Sequence, residues 1–116
     1  MSAAALKVRL RQDLISAMQA HDTEEVRLLR AIVAAIDNAE AVPVESGRDR
    51  ANLTAFGLGA GEVARKELTP EDIAALMDRE HDERLAAATE YERLGQTAEA
   101  ARLIHEAELI DRYREA

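Results

Sequence analysis

The sequence has no cysteine and no tryptophan among its 116 residues, and only one Phe and two Tyr. Without cysteine there is no disulfide, no thiolate nucleophile and no zinc site built on thiolates, and a reducing compartment is expected. With 3% aromatic against 47% hydrophobic residues, the core has to be built from Ala, Leu, Ile, Val and Met, a mixture that favours helices over sheets. Long apolar runs are missing as well. The longest, Ala31 to Ile36, falls far short of the roughly 20 residues that span a bilayer. The N-terminus also lacks the apolar stretch and small-residue cleavage site of a signal peptide. The expectation is a soluble cytoplasmic protein of one domain, 1–116, without membrane contact.

Basic charge is scarce and unevenly placed. Net charge is −8, with five bases and four acids in residues 1–30, but six bases and thirteen acids in residues 69–116. A nucleic-acid partner, which is held mainly through its phosphates, would therefore meet Lys7, Arg9, Arg11 and Arg27, helped by Arg48, Arg50, Arg65 and Lys66. The alternative is that these are ordinary solvated charges.

What the sequence does have is helical periodicity. Leu6, Leu10, Leu14, Ala17 and Met18 recur at three-and-four spacing and predict a helix over about 4–20 with those residues facing the core. Asp22 or Thr23 suits the N-cap of a second helix, about 24–40, with Glu24 and Glu25 in its first turn. Val26, Leu28, Leu29, Ile32, Val33 and Ile36 cover nearly half its circumference, as in a central helix. Thr69-Pro70-Glu71-Asp72 reads as N-cap, N1 and capping box of a third helix, which runs to about Leu94 and stops at Gly95. Its core positions are Ile73, Leu76, Met77, Ala87, Ala88, Tyr91 and Leu94. Ala100, Leu103, Ile104, Ala107 and Ile110 place a fourth helix at about 97–114. Two short connections give two antiparallel pairs, and burying both stripes gives an all-α, four-helix bundle-like fold.

Between the second and third helices, residues 41–68 carry four glycines and no sustained period, so a long irregular loop is expected, of the kind that is often functional. Gly57-Leu58-Gly59-Ala60-Gly61 lacks both a preceding strand and a following Lys-Ser or Lys-Thr, so it assigns no nucleotide. Asp78-x-x-His81 has the spacing of a carboxylate-bundle metal motif but no second copy, so no metal or cofactor is assigned.

Charges set into apolar faces need partners. Glu80 and Arg84 lie four apart in the middle of the third helix's apolar face, in the favourable order for pairing. Glu40 continues the stripe of the second helix, and Arg30 borders it. Two acids and two bases could converge and balance, either as a recognition or acid–base site or as an ion-pair network that fixes helix register.

These residues carry a resemblance. Leu10-x-x-Asp13-Leu14-x-x-Ala17-Met18-x-x-x-Asp22, Leu29-Arg30 and Ala35-Ile36-x-Asn38-Ala39-Glu40 resemble the N-terminal helical part of the YqeY proteins, small relatives of the tail of GatB. Leu68-Thr69-x-Glu71-Asp72-Ile73, Glu80, Arg84, Glu90-Tyr91-x-x-x-Gly95 and the spacing of Glu106 and Tyr113 continue it. Residues 41–68 are similar to the shorter variant of actinobacterial members. The basic residue usual after the third-helix Gly is here Gln96, and the second helical domain of longer members is not represented. The resemblance implies the N-terminal helical domain alone, with Asn38, Tyr91 and Gly95 as family-motif positions. It also implies a non-catalytic accessory or binding module linked to tRNA-dependent amidation, the chemistry of a glutamine-dependent carbon–nitrogen ligase. Its partners would be tRNA or an amidotransferase subunit. The alternatives are a protein-interaction module docking through 41–68 and a small enzyme using Glu40, Glu80 and Arg84.

Overall fold

The structure is a computed structural model and describes residues 1–41 and 65–114. Four helices make up most of these residues: α1 (Ala3–Gln19), α2 (Thr23–Glu40), α3 (Pro70–Arg93) and α4 (Thr97–Arg114). Each boundary has a local cause. The Ser2 side chain accepts from the Ala5 N–H and that of Asp22 from the Glu25 N–H, satisfying amides that a helix leaves unpaired at its start. At α3 the full capping box forms: the Asp72 N–H donates to the Thr69 hydroxyl at 3.1 Å, and the Thr69 N–H donates to the Asp72 carboxylate at 3.0 Å. Hydrogen bonds from the backbone and side chain of Thr69 hold the Asp72 carboxyl below its ordinary value.

Gly95 ends α3 at φ +76°, with the Gln96 N–H donating to Tyr91 and the Gly95 N–H to Glu92. That double bond closes the helix through a left-handed residue, a conformation in which a Cβ is strained. The same closure ends α1, where the Asp22 N–H donates to Ala17 and the His21 N–H to Met18, but here His21 takes the left-handed place at φ 57°.

The helices form two antiparallel pairs, α1 with α2 and α3 with α4. Leu6, Leu10, Leu28, Leu29, Ile32, Ile36 and Ile110 are the largest fully buried side chains. With Leu68, Ile73, Leu76, Met77, Leu109 and Tyr113 they form the main core, which joins the first pair to the adjoining half of the second. A separate small cluster, Ala88, Ala100 and Leu103 with Tyr91 and Ile104 against it, belongs to α3 and α4 alone. The 24-residue α3 is about 36 Å long at 1.5 Å per residue, against about 26 Å for the 17-residue α1. The second hairpin therefore reaches past the first as an arm.

The arrangement is all-α as expected, with two departures in the stripes. Met18 is 48% and Leu94 55% exposed, although their spacing predicts that both face the core. Met18 sits at the edge of the α1 stripe, whose buried arc narrows to Leu6, Leu10 and Ala17. Leu94 lies at the arm's tip, where two helices can cover each other on one side only. Among the described residues no helix is long and apolar enough to cross a membrane.

Candidate functional site

Among the described residues charge enters the interior at two places, and at both it is answered by opposite charge from another element. The first is Glu40 at the end of α2, buried at 8% exposure. Its stripe position turns the carboxylate toward the first turns of α1, where the Lys7 ammonium donates to both oxygens, at 2.7 and 3.0 Å. Arg65 stands 3.8 Å away on the far side of the segment that follows α2. The backbone closes the same point: the Lys66 N–H donates to the Glu40 carbonyl at 2.6 Å, and Ala41 and Arg65 form an isolated antiparallel bridge.

The second place is a layer between the main core and the arm's apolar cluster. Arg84 on α3 donates through Nε to Glu106 of α4 at 2.9 Å, and through Nη1 to the Glu80 carbonyl at 2.9 Å and carboxylate at 3.3 Å. The other oxygen of Glu106 accepts from Arg102 at 2.5 Å, and Arg102 is held in turn by Glu99 at 2.9 Å. Glu106 is 7% exposed. No buried side-chain nitrogen or oxygen among the described residues lacks a hydrogen-bond partner, so desolvation is compensated throughout.

Two further polar groups tie α4 to its neighbours. The Tyr113 hydroxyl donates to Asp13 at 2.5 Å, and the Arg9 guanidinium lies 4.5 Å above the same ring. Arg114 donates to Asp78 and Asp111, both at 2.9 Å, and the His81 Nε2 stands 3.4 Å from Asp111.

Burial first, and the adjacent Asp13 carboxylate second, push the Tyr113 hydroxyl well above its ordinary value near 10. A group whose pKa is higher folded than unfolded contributes stability that is complete below the unfolded value and disappears as pH rises toward the folded one. Wild-type stability is thus expected to fall above pH 10 more steeply than that of Tyr113→Phe, a variant about 1 kcal/mol less stable at neutral pH. Urea titrations at neutral and alkaline pH measure both; parallel pH profiles would remove the linkage.

The four charges that the sequence groups as one cluster do not pair as one set. Glu80 and Arg84 pair as expected, but Glu40 is taken by Lys7 of α1, and Arg84 reaches across to Glu106 of α4 instead. Arg30 is exposed and makes no ion pair among the described residues. Each helix carries its charge at the expected angle, but the helix it meets is a different one. Among the described residues no hydrogen bond or ion pair joins Glu40 to Glu80 or Arg84.

Of the four N-terminal bases, Lys7 is bound to Glu40 and Arg9 stacks on Tyr113, while Arg11 and Arg27 are exposed. Arg65 and Lys66 flank Glu40; Arg48 and Arg50, with the rest of 42–64 in the expected docking loop 41–68, lie outside the described residues. Asn38 is exposed on the outer side of α2, and Tyr91 packs on the arm cluster. Asp78 serves Arg114, and the described residues hold no group of three or more His, Asp or Glu side chains placed to bind a metal.

The sequence marks Glu106 and Tyr113 only as a spacing, and Asp13 only as a motif position. Glu99, Arg102 and Glu106, at three-and-four spacing on the face of Leu103 and Ile110, were the signal for the missed half of the second network. No family model, curated protein or solved structure matches the chain.

Proposed function

We propose that this chain is a non-catalytic binding module and that the machinery it serves is tRNA-dependent amidation. The observation that carries the first half is the state of the two buried carboxylates. Glu40 and Glu106 each face two cations, an arrangement that fixes how helices register and leaves no carboxylate oxygen turned to a substrate. The second half rests on the resemblance of the helical segments to YqeY proteins and the GatB tail.

Within this reading an amidotransferase subunit is a better partner than tRNA itself. Two of the four proposed phosphate-binding bases already hold internal partners, and net charge −8 repels a polyanion.

The test is fluorescence anisotropy of the labelled chain, titrated with purified tRNA-dependent amidotransferase and, separately, with total tRNA at several salt concentrations. Saturable binding to the enzyme is expected. Binding to tRNA is expected to be weak, with a shallow salt dependence corresponding to about two phosphate contacts. Binding to neither removes the amidation reading; tight, steeply salt-dependent tRNA binding replaces the protein partner with RNA.

A further inference from the structure

We infer that the outer face of α1, extended by the groove at the α1–α2 turn, is a docking seam for an acidic amphipathic helix of a partner protein. The inference deepens the binding-module reading and rests on it.

The side of α1 that faces the core carries Leu6, Leu10 and Ala17. The outer side carries Ala4, Val8, Arg11 and Ile15, and Met18 at the border with the core stripe continues the series; all are exposed, at successive spacings of four, three, four and three. That is the repeat by which one helix packs along another. Val8 is 54%, Ile15 57% and Met18 48% exposed, so half of the six large hydrophobic side chains exposed among the described residues fall on this one stripe. A solvated helix face is normally rich in charge of both signs. Here the intervening exposed positions are Ala5, Gln12, Ser16 and Gln19, and the only acid of α1, Asp13, is turned toward Tyr113.

At its C-terminal end the seam opens into a groove of ≈ 490 Å³ lined by Met18, His21, Thr23, Val26, Arg27 and Arg30. The groove places the edge of the α1 stripe beside the two exposed arginines of α2. Arg11, Arg27 and Arg30 are exposed and make no ion pair among the described residues; Arg79 and Arg112, both on the second hairpin, are the other described arginines in that state, while Arg84, Arg93, Arg102 and Arg114 are paired. On a chain of net charge −8 this is an apolar stripe flanked by uncompensated cations.

Its complement is a helix with apolar residues at the same repeat and carboxylates beside them. RNA would leave Val8, Ile15 and Met18 unmatched. A second copy pairing antiparallel through the seam would set Arg11, at its midpoint, against the Arg11 of that copy.

The probes are two synthetic helices of about four heptads with leucine at the core positions, one with glutamate and one with lysine at the flanking positions. Each is titrated into the full chain and followed by fluorescence anisotropy. The glutamate helix is expected to bind, with the lysine helix at least tenfold weaker. Ile15→Asp is expected to weaken the glutamate helix at least tenfold without lowering the Tm, and Arg11→Glu to reverse the preference between the two helices.

Several outcomes overturn the inference. The glutamate helix does not bind, or it binds Ile15→Asp equally well. Ile15→Asp lowers the Tm, which would mean that the chain covers its own seam. Sedimentation shows a dimer that Ile15→Asp dissociates, or vesicles of phosphatidylglycerol bind through Ile15. Binding of the amidotransferase without the helix removes the seam and leaves the amidation reading. Binding of the helix without the amidotransferase does the reverse.

Discussion

Glu106→Ala is expected to lower the unfolding free energy by about 2–3 kcal/mol. Removing one partner of a buried ion pair costs about 3–5 kcal/mol, because the charge left behind stays desolvated and unanswered. Here the penalty is moderated. Arg84 keeps its two contacts with Glu80, and Arg102 keeps Glu99. Glu99→Ala, at a side chain 47% exposed, is expected to cost under about 1 kcal/mol by comparison. The double change Arg84→Met with Glu106→Leu, which removes both charges and fills the space with apolar atoms, is expected to recover most of the loss. Urea unfolding followed by far-UV circular dichroism distinguishes these cases. A Glu106→Ala variant as stable as wild type would mean that the layer contributes nothing to the fold.

Leu29→Ala should have the larger effect, about 3–4 kcal/mol. Leu29 is fully enclosed, at 0% exposure, in the middle of the helix that supplies Leu28, Ile32 and Ile36 to the same core. Truncation of such a leucine loses the transfer energy of its methyl groups and leaves a cavity that rigid helices on either side cannot close. For a domain stable by about 5–15 kcal/mol this is about a fifth or more of the total. Val33→Ala, on the half-buried flank of the same helix, should cost about 1 kcal/mol. Equal costs at the two positions, in the same urea measurements, would place the centre of the core elsewhere.

The helices were legible in the sequence because their causes are local. Thr69, Asp72 and Gly95 act within a few residues of themselves, and the spacing of Leu28, Leu29, Ile32 and Ile36 defines a face whatever lies opposite. The partners of the charges were not legible, because a helical angle says where a side chain points and not what it meets. Glu40 was assigned correctly to the inner face, but its partner Lys7 lies 33 residues earlier. That pairing follows from how far α1 and α2 overlap, which is set by the turn at His21. The exposure of Met18 and Leu94 was hidden for a related reason. A continuous apolar stripe reveals neither how wide an arc its neighbours cover, which leaves Met18 at the edge of the α1 stripe, nor where those neighbours end, which leaves Leu94 beyond α1 and α2.

The bridge between Ala41 and Arg65 bears on how this fold tolerates change in length. It pins the two ends of residues 42–64 together, backed by the Lys66–Glu40 backbone bond and the Lys7–Glu40 ion pair. The end of α2 and the lead-in to α3 are thus held side by side by contacts at Lys7, Glu40, Ala41, Arg65 and Lys66. Their relative place is set by those contacts and not by the number of residues in the chain between them.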